Sequence, residues 1–195
     1  MAIHDAQRWD SRYTENARYS KFEKPRPFLL NHTGLLPTSG LALDIAMGLG
    51  GNAELLLKRG LKVIGVDISR VALKRARQRL PALMAVQADL TRFYLPDNTF
   101  DVILNFFYLQ RDLWPNYVRA LRPDGWLIFE TLTVDFRSLQ PEIDPNYLLA
   151  PGELRQAFPS LEIVDYQEGW STSDDGHQRP VAGLVARKPR ITPSP

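Results

Sequence analysis

The residues with most chemistry to offer lie in Asp44, Ile45, Ala46, Met47, Gly48, Leu49, Gly50, Gly51, Asn52 and Ala53, where an apolar run of strand length passes into a helical one. Gly48 and Gly50 let the backbone approach a ligand, and an acid, Asp67, closes the next apolar run 19 residues after Gly48. That layout suits a nucleoside, because the carboxylate accepts from two ribose hydroxyls. A bare Gly-x-Gly-x-x-Ala is common by chance. Strand, glycines, helix, strand and terminal acid in that order are far more specific. The alternative is a tight structural turn with a solvated Asp67. Ala46, Asn52 and Ile68 flank these groups and complete the candidate cofactor set on this side.

Asp44, four positions before Gly48, decides which nucleoside fits. At the mouth of the first strand its charge repels the pyrophosphate of a dinucleotide, which disfavours NAD. S-adenosylmethionine has no phosphate and carries an ammonium and a sulfonium, so the same acid meets a cation. Capping the following turn is the competing role for Asp44. Asp89, at the end of the third strand run, is placed to accept from an adenine amine, with Leu90 lining the base. Its competing role is a helix-starting acid. Asn105 closes the apolar run from Phe100 and is expected to face the crevice at the carboxyl edge of the sheet.

Positioning these groups requires strands that end together. From residue 41 onward, strand-length apolar runs (Leu41 to Ala46, Lys62 to Asp67, Leu83 to Ala88, Phe100 to Asn105, Trp126 to Thr131) alternate with helical segments. The pattern predicts an α/β, Rossmann-like, doubly wound and mostly parallel sheet. Helices are expected after Gly51, over Val71 to Leu80 with Ser69 as cap, over Asp112 to Leu121 with Pro115 in the first turn, and over Pro151 to Phe158. Leu161 to Tyr166 and Val181 to Arg187 complete seven strands. The connection from Gly169 to Pro180 is too short for a helical crossover, which makes them antiparallel neighbours at the edge. Residues 1 to 40 lack the alternation but carry Trp9, Tyr13, Tyr19, Phe22 and Phe28, an aromatic-rich segment suited to a lid. Residues 1 to 188 read as one domain with that lid, and the proline-rich residues 189 to 195 as a flexible tail.

Composition narrows the partners. The 195 residues are 44% hydrophobic and 24% charged, an ordinary globular balance that excludes disorder. A formal net charge of +2 supplies too little field to steer the chain onto nucleic acid, and the basic run Arg70, Lys74, Arg75, Arg77, Arg79 reads as a solvated helix face. Without Cys there is no disulfide, thiolate zinc site or Cys nucleophile. The N-terminus lacks the pattern of a secretion signal, and no apolar run approaches the roughly 18 residues of a membrane span, so a cytoplasmic protein without membrane contact is expected.

These motifs resemble those of the class I S-adenosylmethionine-dependent methyltransferases from Trp9 to about Lys188. Asp44 to Asn52 is similar to the first motif of that family, Val63 to Asp67 to its acidic second, and Ala88 and Asp89 to its adenine-side motif. Leu121, Arg122, Pro123, Asp124 and Gly125 resemble its Leu-Lys/Arg-Pro-Gly-Gly turn, with Asp124 where Gly is usual. Trp9, Asp10, Arg12, Tyr13, then Pro27, Phe28, Leu29, resemble the opening of small bacterial tellurite-resistance and thiopurine-methyltransferase-like members. Gln110 to Leu113 and Leu149 to Leu154 are similar to segments of the tellurite-resistance-like members. The resemblance implies S-adenosylmethionine as cofactor, S-adenosylhomocysteine as product, an N-terminal segment that helps cover the site, and a small acceptor, often methylated at S, Se or Te.

Methyl transfer from a sulfonium needs alignment more than a nucleophilic side chain, which fits the lack of a Gly-x-Ser-x-Gly elbow or a His-Glu-x-x-His motif. Asn105, His177 and Arg179 are the candidates to act on the acceptor: His177 as base or orienter, Arg179 as holder of an anion. Phe107, Tyr108 and Arg111 are candidates for an acceptor wall with Arg111 as an anion-binding side chain, closed by Tyr13 from the lid. An NAD(P)-dependent oxidoreductase and a non-catalytic cofactor-binding protein are the competing functions.

Overall fold

The computed structural model describes residues 2–15, 22–172 and 176–190. Its strands are β1 (Leu41–Ile45), β2 (Lys62–Asp67), β3 (Met84–Gln87), β4 (Phe100–Phe106), β5 (Leu121–Leu132), β6 (Glu162–Thr172) and β7 (Gln178–Arg187). They form one sheet in the order β3-β2-β1-β4-β5-β7-β6. β1 with β2, β2 with β3 and β4 with β5 pair in parallel, while β7 runs antiparallel to both β5 and β6. This is a doubly wound, Rossmann-like sheet with antiparallel strands at one edge and helices flanking it. The helices are α1 (Ala2–Glu15), α2 (Pro27–Asn31), α3 (Gly51–Lys58), α4 (Arg70–Arg79), α5 (Trp114–Ala120) and α6 (Glu153–Gln156). Residue contacts divide the chain into two compact units, Met1–Tyr94 and Leu95–Pro195. Tyr19 and residues 191–195 of the expected tail lie outside the described residues.

In the first unit β1 is buried along Ala42, Leu43, Asp44 and Ile45, as a central strand must be. It ends one residue earlier than its apolar run, because Ala46 turns left-handed (φ 50) to begin the glycine turn. Gly50 (φ 76) caps α3, which starts at Gly51, two residues before the first apolar position. Ser69 caps α4 as expected, accepting from the Ala72 N–H at 3.1 Å. Ala72, Leu73 and Ala76 form the buried stripe of α4. Its basic face is not simply solvated. Arg79 donates to the Leu49 carbonyl at 2.6 Å and pairs with Glu54, and Arg75 donates to the Tyr13 carbonyl at 2.9 Å.

In the second unit a three-residue turn of 3-10 helix, Arg111–Leu113, precedes α5, whose first turn carries Pro115. Trp114, Phe129 and Phe158 pack together with ring centroids 5.8 to 6.3 Å apart. β5 begins at Leu121, and residues 122–125 loop out of register before Trp126 pairs with Val102. Asp124 there is left-handed (φ 66), which explains the usual glycine, and its carboxylate is held by Arg187 at 2.6 Å. Two expectations need correction. The helix expected over Pro151 to Phe158 is only α6, one turn capped by left-handed Gly152 (φ 69), with Pro151 outside it. The expected Gly169–Pro180 loop is mostly strand: Trp170, Ser171 and Thr172 pair with Pro180, Arg179 and Gln178, because the two strands continue as a ribbon.

Candidate functional site

The glycine turn is held to the end of β2 by the predicted acid. Asp67 accepts from the Gly48 N–H through Oδ2 and from the Ser69 N–H through Oδ1, both at 2.8 Å, so one carboxylate fixes the turn and the start of α4 together. It is 6% exposed. Burial raises its pKa, while the amides of Ser69, Gly48 and Ile68 pull it back, and Asp10 adds a negative neighbour. The solvated alternative for Asp67 is therefore not what the fold builds. A carboxylate offers about four acceptor positions, so room remains for a ligand.

Asp44 is 1% exposed, and its Oδ2 has no partner among the described residues. Burial first, then the charge of Asp67, pushes its carboxyl up to about 8, against the Ala53 amide and Arg26, which lower it. Sequence reasoning expected a standing negative charge. The fold instead holds a carboxyl that keeps a proton near neutral pH. A buried acid with an orphaned oxygen is costly unless something completes it.

The N-terminal segment is seated on this turn. Trp9 stacks on Tyr13 with ring centroids 5.8 Å apart, and the Tyr13 hydroxyl lies 2.7 Å from where a Cβ at position 48 would stand. The Lys24 carbonyl fills the corresponding space beside Gly51. Asn52 accepts from the Arg26 N–H at 2.9 Å, so its side chain anchors this segment. Tyr13 was expected on the acceptor wall, yet α1 places it at the glycine turn. Sequence reasoning also missed Asp10, which accepts from Ser69 Oγ and the Val71 N–H. Its signal was available: Asp10 and Tyr13 are one helical turn apart and share a face.

Ile68 is partly buried, and its carbonyl accepts from Gln87 Nε2 at 3.1 Å. Asp89 caps a short 3-10 turn, accepting from the Thr91 N–H at 3.0 Å and Oγ1 at 2.7 Å, contacts that hold its carboxyl below the usual range. The competing role is thus filled, and Leu90 beside it is buried.

In the second unit β4 runs one residue past Asn105, so this side chain does not close the strand as expected. It is fully buried and donates to the Tyr117 hydroxyl of α5 at 3.0 Å, while its Oδ1 has no partner among the described residues. Phe107 (φ 56) turns left-handed just after β4, and Tyr108 beyond it is partly buried. Arg111 corrects another expectation. It grips both carboxylate oxygens of Glu153 and the carbonyls of Asn146 and Leu148, so four of its five N–H donors go to folding that connection. His177 is exposed just before β7, and Arg179 lies within β7 opposite Ser171. Sequence reasoning passed over Glu130, a buried acid near the carboxyl end of β5. An acid inside the apolar run from Trp126 was the signal.

Comparison with known proteins adds to this geometry. Residues 43–129 match a family model described as a methyltransferase domain, a span holding the glycine turn, Asp67, Asp89 and Asn105. This span, a little under half of the chain, is similar to a class I S-adenosylmethionine-dependent methyltransferase domain. The cofactor of such a domain is S-adenosylmethionine, and the product is S-adenosylhomocysteine. Trans-aconitate 2-methyltransferase of Paracidovorax citrulli is 34% identical over 126 residues, 58% of this chain and 48% of that protein. Demethylmenaquinone methyltransferase of Renibacterium salmoninarum is 29% identical over 141 residues, 70% of this chain and 56% of its own length. The chain spans about half the length of these curated relatives. TehB of Haemophilus influenzae shares the fold, with a TM-score of 0.67 at 17% identity over 83% of this chain and 61% of its own. No helix among the described residues is long and apolar enough to cross a membrane.

Proposed function

We propose that the protein transfers a methyl group from S-adenosylmethionine to a small-molecule acceptor, by in-line displacement and in the cytoplasm. One observation carries the reading: a fully buried acid, Asp44, keeps an oxygen without a partner among the described residues beside the glycine turn, a position that, once the carboxyl gives up its proton, favours a cationic nucleoside over a dinucleotide. The donor set fits the cofactor. Asp67 has acceptor positions left for a ribose diol, Asp44 suits the ammonium and sulfonium, and the second oxygen of Asp89, with Leu90 beside it, suits an adenine edge. When bound, S-adenosylmethionine supplies a methyl group already activated for displacement. The chain's own contribution is to orient the acceptor and exclude water, with α1 and the segment around Arg26 as cover.

On the acceptor side Asn105, Phe107, Tyr108, His177 and Arg179 remain the candidates. Relatives named for trans-aconitate and demethylmenaquinone support a small-molecule acceptor, and sulfur, selenium and tellurium compounds belong beside organic acids in an acceptor screen. The test begins with binding. Asp67→Ala is expected to weaken S-adenosylmethionine binding by roughly 1 to 3 kcal/mol, because charged-acceptor hydrogen bonds are lost. Unchanged affinity would move the cofactor elsewhere. Once an acceptor is found, Arg179→Ala is expected to raise its KM and leave cofactor affinity alone; equal loss of both would point to folding.

A further inference from the structure

One hydrogen-bonded chain joins α1 to the cofactor acid. The Gly48 N–H donates to Asp67 Oδ2, and the Ser69 N–H donates to Asp67 Oδ1. Ser69 Oγ then donates to Asp10 Oδ1 at 2.6 Å, and the Val71 N–H donates to the same oxygen at 3.1 Å. Ser69 also caps α4 by accepting from the Ala72 N–H. Its hydroxyl proton is thus committed to Asp10 and its lone pair to the helix, which leaves the hydroxyl no rotational freedom. The other end of the seat is set by Arg75, which donates to the Tyr13 carbonyl at 2.9 Å and to Glu23 at 2.8 Å. Asp10 and Tyr13 lie one turn apart on α1, so fixing one fixes the other.

We propose that Asp10 is a positioning residue of the cofactor site, acting through Ser69 to hold the Asp67 carboxylate and, along α1, to seat the Tyr13 hydroxyl over Gly48. The proposal rests on S-adenosylmethionine binding at the glycine turn and extends it: α1 becomes a working part of the cofactor site. A plain tether would need only one contact with α4. Asp10 instead takes the proton of the one hydroxyl whose own backbone amide binds the ribose acid, so loosening Asp10 loosens Asp67.

Calorimetric titration of the full chain with S-adenosylhomocysteine tests this, comparing the wild type with Asp10→Ala, Asp10→Asn and Ser69→Ala across a pH series. Asp10→Ala is expected to weaken binding about tenfold. Asp10→Asn keeps an oxygen for Ser69 Oγ and the Val71 N–H, so it is expected to stay within about threefold of the wild type at pH 8. The asparagine also removes a negative neighbour of Asp67, so the loss of affinity on the acid side moves to lower pH. The other groups facing Asp67 are unchanged in that variant: Asp44 of β1, with Arg26 acting on it, neutral Gln87 of β3, and the amides of Gly48, Ile68 and Ser69. If Asp10→Ala does not fold, Ser69→Ala is expected to show the same weakening. Wild-type affinity in Asp10→Ala or Ser69→Ala overturns the proposal alone. So does an Asp10→Asn variant as weak as the alanine with an unmoved pH profile. A wild type that binds no S-adenosylhomocysteine overturns the cofactor reading beneath it.

Discussion

Asp44 carries more of the functional reading than any other side chain, and its burial makes it sensitive to pH. Its carboxyl keeps a proton up to about pH 8 in the folded chain, against an ordinary 3.8. Between those values the folded state binds a proton that the unfolded state does not, so stability falls as pH rises through that window and levels off above it. Thermal melts of the ligand-free protein are therefore expected to drop in midpoint between about pH 4 and pH 8, and Asp44→Asn to flatten that dependence. A slope that survives the substitution would assign the titration to another group. The sequence located Asp44 and Asp67 by spacing alone, because glycines and terminal acids are local signals. It could not show that one acid would be protonated, since burial is a property of the assembled unit. Arg111 illustrates the same limit: an arginine after β4 looks free to bind an anion until folding brings Glu153 to it.

At the scale of elements, the turn from β1 to α3 is where local conformation and packing coincide. Gly48 is left-handed (φ 56), and the Tyr13 hydroxyl occupies the space of the missing Cβ. Gly48→Ala is expected to cost about 1 to 3 kcal/mol by chemical denaturation, from backbone strain plus the displaced phenol. Tyr13→Phe in the same chain removes the colliding oxygen and should recover part of that loss. No recovery would mean that strain alone is responsible. The turn before Trp126 makes the opposite case. Asp124→Gly relieves a left-handed residue but releases Arg187, a partly exposed pair of small worth, so the net change is expected within about 1 kcal/mol. The five parallel-strand segments and the Ser69 cap of α4 were legible because period and cap residues are written locally. The extension of β6 and β7 was not: Gly169 and Pro180 read as loop residues, and only pairing with a partner strand makes them a ribbon.

For the whole molecule, alternating apolar runs were enough to give the sheet class and its antiparallel edge. The division into two compact units left no mark in composition, and the seat of α1 on α4 depends on contacts 59 and 61 residues apart in sequence, Asp10 to Ser69 and Val71. A ligand bound only by the folded chain raises its stability by mass action, about 2.7 kcal/mol at a hundredfold excess over Kd. S-adenosylmethionine, and not NADH, is expected to raise the melting midpoint by several degrees. The most direct test of the cationic site at Asp44 is calorimetric binding of S-adenosylmethionine near pH 7 in two buffers of different ionisation heat. The expected result is release of close to one proton per cofactor bound, because a carboxyl titrating near 8 is about nine-tenths protonated there and must give up its proton to the incoming cation. Binding with no proton released, or heat from NADH with none from S-adenosylmethionine, would contradict it.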